Sequence, residues 1–392
     1  MKEHTVLDIG SSKIVGLNCS AEPQGNIVVH GAAIKEYKGY RHKEFLDEPE
    51  LQTVIAEILE EAETDSKHRL RDITVGVPGP FLHTEISPAE IRKKNSGIVR
   101  QKDVDQLMND SLSFDQPEGY ELIHSTPIEF KADGVKLAGP PAGVRAQLLT
   151  SPVSHVYVDA HFRSLVDNAL ASIGLQADMF VGVPLSEGLF LIPDEERLYG
   201  AVLIDVGYTH TDISLLFNAA LIKCITLEVG GMHFKNDLVY GLNLLESTAE
   251  NIKRRYVYSL DYQDSIDNIR IPGGGTIKID YSAIQYILEA RTKELADMIY
   301  GELTELNMTE APVYLTGGGI SLMRGSCEFL EKYMGIPIKV RMPWMPRLSS
   351  PNYASAFGTM SFMLQGREET IGWLHSAHQK SFLNRIIDFF AK

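Results

Sequence analysis

The sequence predicts an α/β fold of two related lobes, and three observations predict it. Helix-type and strand-type apolar patterns alternate along 392 residues, an Asp-x-Gly turn closes a strand once in each half, and a glycine triplet follows a third apolar strand. A chain of this length exceeds one ordinary core, so several packed units are expected. Hydrophobic residues make up 44% and charged residues 23%, the balance of a chain able to build a core.

Charge and cysteine usage exclude several classes. The formal net charge of -15 repels a phosphate backbone, and no basic stripe interleaved with aromatics offsets it, so no nucleic acid is expected as partner. Cys19, Cys224 and Cys327 are far apart and odd in number, which argues against a disulfide framework or a zinc site. The charged Lys2, Glu3 and His4 lead straight into a strand, leaving no room for a signal peptide. No run approaches the roughly 20 apolar residues of a membrane span, so a cytoplasmic chain with at most peripheral membrane contact is expected.

The elements follow in order. Residues 5–20 read as strand, Gly-Ser-Ser turn and second strand carrying Ile14, Val15 and Leu17. Leu51, Val54, Ile55, Ile58, Leu59 and Ala62 keep helical spacing, and residues 73–77 read as a buried strand. From 84 to 158 the pattern becomes short strands punctuated by Gly and Pro, among them 125–130 and 143–151, preceded by one helical run at 102–112; this reads as an inserted subdomain. A helix near 161–173 ends at Gly174. In 201–228 a second hairpin repeats the first in outline, with Asp205, Val206 and Gly207 echoing Asp8, Ile9 and Gly10, which indicates an internal duplication. Residues 273–275 read as a hairpin tip without chemistry. Ser282 with Gln285 reads as a capping box for a helix with Ile284, Ile287, Leu288, Leu295, Met298 and Ile299 on one face. Residues 313–323 read as strand, glycine turn and helix start.

Each Asp-x-Gly turn sets a carboxylate at a strand end, followed by backbone amides. Amides bind phosphate, and magnesium is held loosely by one or two carboxylates through its waters. Asp8 and Asp205 facing one another across a cleft therefore suit MgATP, with Ser11 and Ser12 adding donors and Lys13 a positive charge. Taken singly, either turn reads better as an ordinary hairpin with a turn-favouring Asp, and it is the recurrence with a third motif that shifts the reading. Thr316, Gly317, Gly318 and Gly319 supply a third motif that lets a base or phosphate approach the backbone closely.

In this order the three motifs resemble the phosphate-1 turn, phosphate-2 turn and adenosine loop of the actin, Hsp70 and hexokinase superfamily. Within it, the chain is similar to FtsA, a bacterial cell-division family, from residue 5 to about 364. VGVPLSEGLFLI at 181–192, followed by PDEERLYGAVLIDVG, resembles the FtsA linker helix running into its phosphate-2 strand, and VGGMHFKNDLVYGLNLLESTAENIKRRY at 229–256 resembles the stretch that follows. The resemblance implies an actin-like fold, with duplicated ribonuclease H-like lobes around a nucleotide cleft, and ATP with magnesium as ligands. It implies nucleotide contacts from Asp8, Gly10, Ser11, Ser12, Lys13, Asp205, Gly207, Tyr208, Thr209, Gly230, Gly231, Gly317, Gly318 and Gly319. Glu250 and Lys253 would touch ribose and adenine, Asp8 and Asp205 would hold magnesium through water, and Asn236 and Asp237 would begin the helix of subdomain 2B.

It also implies subdomain 1A in 1–83, 161–197 and 341–365, an inserted SHS2-like 1C in 84–160, 2A in 198–230 and 309–340, and 2B in 231–308. Partners implied by the family are the C-terminal peptide of the tubulin homologue FtsZ, taken up by 2B, other division proteins on 1C, and the chain itself as a polymer.

Two departures temper the activity. Where FtsA reads Asp-Ile-Gly-Gly-Gly-Thr-Thr-Asp, this chain reads Asp205, Val206, Gly207, Tyr208, Thr209, His210, Thr211, Asp212. Val183 stands where active relatives carry a water-positioning Gln or Glu, with Glu187 one helical turn on, so at most slow hydrolysis is expected. Beyond a polar linker at 366–380, residues 381–392 form a two-faced helix. Phe382, Leu383, Ile386, Ile387, Phe389 and Phe390 fall opposite Asn384, Arg385, Asp388 and Lys392, which suits an anionic membrane surface, the competing reading being a terminal helix docked on the protein core. The expectation is a division protein on the inner face of the membrane at the division site. The competing readings are a small-molecule kinase using the same cleft and an actin-like scaffold of a pilus or secretion system.

Overall fold

The computed structural model describes residues 3–365 apart from 22–26, 71, 113–115, 261, 263–265, 271–274 and 345–348. The linker at 366–380 and the apolar face of Phe382, Leu383, Ile386, Ile387, Phe389 and Phe390 lie outside the described residues.

The first lobe opens with β1 (Glu3–Ile9), β2 (Lys13–Ala21) and β3 (Ile27–Glu36), an antiparallel meander. A short hairpin, β4 (Tyr40–Arg41) and β5 (Glu44–Phe45), leads to α1 (Glu48–Ser66) and β6 (Ile73–Val77). Asp47 caps α1 by accepting from the Glu50 amide, and Leu51, Val54, Ile55, Ile58, Leu59 and Ala62 are its buried face, as the spacing predicts. That face lies against Gly16 and Gly31. A Cβ there would come within 2.6 Å of Ile58 and 2.7 Å of the Ser66 nitrogen, so the missing side chains let helix and sheet close up.

From β6 the chain enters the insert. It consists of β7 (Leu82–Ile98), α2 (Gln101–Asp110), β8 (Tyr120–Pro127), β9 (Lys131–Ala132), β10 (Val135–Lys136) and β11 (Arg145–Asp159). Strands β7 and β11 pair antiparallel from Leu82↔Val158 out to Ile98↔Arg145, and β8 adds to β11. Val104, Leu107 and Met108 of α2 close a separate small core with Ile91, Leu149 and Val153. Strand β11 continues eight residues past the expected end at 151, because buried positions carry on through Val158.

The chain returns to the first lobe with α3 (Ala160–Ser172), β12 (Ala177–Gly182), α4 (Val183–Leu191) and α5 (Asp194–Arg197), giving the sheet order β12-β6-β1-β2-β3. The second lobe has β13 (Ala201–Val206), β14 (Thr211–Phe217), β15 (Ala220–Leu227), α6 (Gly231–Leu242), α7 (Glu246–Arg255), β16 (Ile266–Arg270), β17 (Thr276–Asp280), α8 (Tyr281–Glu305), β18 (Val313–Thr316), α9 (Ser326–Met334) and β19 (Ile338–Val340). Its sheet runs β15-β14-β13-β18-β19. The closing α10 (Ala354–Gln365) crosses back onto the first lobe, where Ala356, Phe357 and Met360 pack on Val6, Val15, Leu17 and Cys19.

The two sheets are copies. Each is a three-strand antiparallel meander with two parallel strands added beside its first strand. Thr5 to Asp8 pair with Ile73 to Gly76, and Val202 to Asp205 pair with Val313 to Thr316, so Asp8 and Asp205 take the same register position. This is the duplicated actin-like architecture. Strand β13 serves both cores by alternation: Ala201 and Leu203 join the first lobe, while Val202, Ile204 and Val206 join the second.

Three local expectations are corrected. Asp280 caps α8 by accepting from the Ser282 amide, so Ser282 is already inside the helix, and Gln285 bonds Glu289 instead. Asn236 and Asp237 do not begin a helix; α6 starts at Gly231, and Asp237 sits mid-helix holding Arg291 of α8 at 2.6 and 2.9 Å. The glycine turn does not feed a helix directly. Ser321 returns its hydroxyl to the Thr316 carbonyl at 2.8 Å, which folds the chain back on itself, and α9 waits until Ser326.

Candidate functional site

The duplicated strands end in duplicated turns. The Gly10 amide donates to the Lys13 carbonyl over 3.0 Å, and the Gly207 amide to the His210 carbonyl over 2.9 Å. The turns then meet: the Thr209 amide donates to Ser11 Oγ at 3.3 Å. The amides of Ser11, Ser12 and Tyr208 find no protein acceptor among the described residues. Such paired turns are anion-binding concavities.

Carboxylates gather beneath them. Asp8 accepts from Ser355 Oγ at 2.7 Å, and burial raises its carboxyl above the usual range, Ser355 and Lys13 opposing. Asp205 is pushed up to about 7 by burial and by Asp212. Glu187, on α4 and 2% exposed, is raised well above the ordinary value by burial and then by Asp205, Asp8 and Asp212. Lys13 and His210 are the cations that face this set. Burial lowers Lys13, against the pull of Asp8 and Asp205. Burial alone would lower His210 too, but Asp212, 3.6 Å away, reverses that and holds the ring protonated more firmly than usual.

No group of three or more His, Cys, Asp or Glu side chains close enough to hold a metal ion occurs among the described residues. A hydrated magnesium held at second hand is what such spaced carboxylates fit. Two further observations fit a ligand: the buried hydroxyls of Tyr40 and Thr316 have no hydrogen-bond partner among the described residues. Buried polar groups are nearly always paired, so a water or a ligand atom can complete each.

The glycines pack closely on one another. A Cβ on Gly319 would stand 2.3 Å from the Gly207 carbonyl, one on Gly231 2.8 Å from the Gly319 Cα, and one on Gly230 2.7 Å from the Tyr208 carbonyl. Gly317, at φ +85°, would meet Asp205. The glycine loop, the second turn and the start of α6 thus pack backbone on backbone. Gly318 faces Asn352, whose carbonyl accepts from Lys13 Nζ at 2.8 Å, so the 351–353 turn ties the glycine loop to the first turn.

The departures at the second turn are accommodated. Tyr208 has no positive φ, so the lost glycine costs no backbone strain, and its ring turns toward α6, where Lys235 Nζ donates to its hydroxyl at 3.3 Å. Lys235 also pairs with Glu246 at 2.5 Å. Glu250 and Lys253 pair at 2.8 Å, and Lys253 bonds the Gly231 carbonyl at 3.2 Å, placing both beside the glycine contact.

Sequence reasoning singled out the two turns and the glycine loop, and named Glu187 and His210 only as departures from the family pattern, but missed Tyr40, Lys235, Asn352 and Ser355 as neighbours of the site. Glu187 carried a signal, being the one charge in the apolar run of α4. Asn352 and Ser355 arrive from the far end of the chain, and no local pattern announces them.

Comparison with known proteins bears on the family and the fold. The family model for "Cell division protein FtsA" matches residues 202–358, and that for the "SHS2 domain inserted in FTSA" matches residues 82–157, the inserted sheet. The chain is 24% identical over 369 residues to the cell division protein FtsA of Neisseria meningitidis, covering 91% of this chain and 89% of that one. It is 22% identical over 386 residues to that of Bacillus subtilis, covering 92% and 84%. Among solved structures, a PilM-PilN type IV pilus biogenesis complex matches at TM-score 0.62 with 18% identity, covering 91% of this chain and 97% of that one. MreB5 of Spiroplasma citri bound to ADP matches at 0.54 with 13% identity, covering 92% and 96%. At those identities the structural likeness establishes the fold.

Proposed function

The chain belongs to the FtsA family of cell-division proteins, and from that premise we propose that it binds MgATP in the interlobe cleft and tethers FtsZ filaments to the cytoplasmic membrane. The observation that carries the cleft reading is the meeting of the two Asp turns with unpaired amides between them. In this reading Ser11, Ser12, Tyr208 and Thr209 offer donors to the phosphates, Lys13 and His210 supply positive charge, and Asp8 and Asp205 orient the waters of magnesium. Glu250 and Lys253 face the ribose and adenine. Bound magnesium would neutralise the carboxylates that now repel one another. Hydrolysis is slow, and the nucleotide serves mainly to join the lobes.

The subdomains follow the family plan, with 82–159 as 1C and α6 to α8 as 2B. 2B takes the C-terminal peptide of FtsZ, 1C meets other division proteins, copies of the chain join through actin-like contacts, and residues 381–392 lie as a helix in the membrane surface. Among the described residues, no helix is long and apolar enough to cross a membrane. Six large apolar side chains each gain up to about 1.5–3 kcal/mol on burial, but a short helix is marginal alone, so one tail binds reversibly and an array of tails binds firmly.

Co-sedimentation with anionic liposomes tests this, comparing the full chain with one ending before Ser381, each with and without MgATP. Tail-dependent pelleting that rises with MgATP supports the proposal, and a full chain that stays in solution under every condition ends it. Binding of an FtsZ C-terminal peptide separates this role from that of a pilus scaffold, which has no use for it.

A further inference from the structure

Tyr40 stands where the two turns meet. The segment before it wraps the first turn: Tyr37 donates its hydroxyl to the Gly10 carbonyl at 2.8 Å, and its amide donates to the Ser12 carbonyl at 3.2 Å. Gly39, at φ +80°, lies so close to Ser11 that a Cβ would fall 1.9 Å from the Ser11 carbonyl oxygen. That contact fixes the backbone of Tyr40 on the first turn. Its ring packs edge-on against Phe81 at 4.9 Å and Phe45 at 5.5 Å, and on its other side lies 5.7 Å from the His210 ring of the second turn.

The side chain is 1% exposed and its hydroxyl has no hydrogen-bond partner among the described residues. Burial and the nearby acids Asp212, Asp8 and Asp205 keep the proton on it, so it is a donor at any physiological pH. A buried donor without an acceptor carries its full desolvation penalty. Packing alone does not call for the hydroxyl, since a phenylalanine would fill the same aromatic nest.

We propose that Tyr40 is a ligand-binding residue of the cleft, its hydroxyl donating to an anionic oxygen of the nucleotide polyphosphate between the two turns. The inference rests on the MgATP reading above. It gives the hairpin of β4 and β5 a role: the hairpin carries a donor from the first lobe to the second turn, and Arg41 next to it reaches the Met232 sulfur at the start of α6, 2.9 Å away. The short hairpin thus bridges the cleft over the place where a polyphosphate would sit.

The test is Tyr40→Phe in the full chain, read by binding of MgATP and MgADP and by thermal unfolding without nucleotide. The substitution removes only the unpaired hydroxyl. Nucleotide-free stability therefore holds or rises, while affinity for MgATP falls about ten- to a hundredfold, the worth of one hydrogen bond to a charged acceptor. Tyr37→Phe serves as contrast, because it deprives the Gly10 carbonyl of a donor and lowers nucleotide-free stability. Should Tyr40→Phe bind MgATP as tightly as the parent, or unfold at a lower temperature without nucleotide as Tyr37→Phe does, Tyr40 is a packing residue and the inference fails. If the unaltered chain binds neither nucleotide, the cleft reading itself fails and takes this one with it.

Discussion

The Thr209 amide donates to the Ser11 hydroxyl across 3.3 Å, joining turns that grow from two different sheets. The bond is long for its kind and holds the turns face to face without a ligand. Ser11→Ala removes the acceptor. Exchange of the Thr209 amide with solvent deuterium should then quicken in the nucleotide-free chain, with a stability loss of about 0.5–1.5 kcal/mol. Unchanged exchange at Thr209 would show that the turns are held together by other contacts.

Glu187 gives a pH prediction with a definite sign. Its carboxyl and that of Asp205 are both raised, the latter to about 7, so each favours folding while protonated and loses that contribution as pH climbs from the ordinary carboxylate range of about 4 through its folded value. Glu187→Gln removes one charge from the cluster. It should raise the melting temperature by at least about 2 °C at pH 8, with a smaller gain at pH 5. A gain independent of pH would mean that Glu187 does not titrate with the cluster.

His124 works the other way. Buried on β8 with its Nε2 2.6 Å from Thr126 Oγ1, it is lowered to about 4 by burial and then by His155. A depressed histidine supports folding above its unfolded value of about 6.5 and loses that support as pH falls toward 4. Its ring packs edge-on against Phe362 of α10, so acid should loosen the insert from the first lobe. Tryptic cleavage within the insert, followed from pH 7 to pH 5, should accelerate relative to cleavage in α8, and an equal response in both places would refute it.

Gly319→Ala tests the backbone contact at the second turn. The new methyl would stand 2.3 Å from the Gly207 carbonyl and 2.7 Å from that of Val206, neither of which can step aside. A destabilisation of about 1–3 kcal/mol is expected. Gly301→Ala, with open space around it in α8, should be neutral or slightly stabilising.

Periodicity made α1 legible to the residue on its buried face, and the recurrence of Asp-x-Gly exposed the duplication that the matching registers of Asp8 and Asp205 bear out. Local signals failed where the structure substitutes one partner for another. Asp280 outcompetes Ser282 for the cap because it lies one residue before the helix and its carboxylate accepts from the Ser282 amide. The glycine triplet was readable as a close approach but not as an approach of backbone to backbone, because its partners, Gly207 and Gly231, lie far away in sequence. Tyr40 gave no sign at all, since only the fold reveals that its hydroxyl is buried and unpaired.

The insert leaves the first lobe at Leu82 and comes home beside it, at Val158, on strands paired to each other along almost their whole length. Its two ends are therefore neighbours, and the excursion closes on itself like a stem and head. A head mounted this way is exchangeable at its outer end, where Val104, Leu107 and Met108 close a core of their own, while Ile123, Val156 and Val158 at its base belong to the core of the first lobe and stay fixed. Specificity for outside surfaces can therefore drift in the head while the duplicated lobes keep their shared geometry.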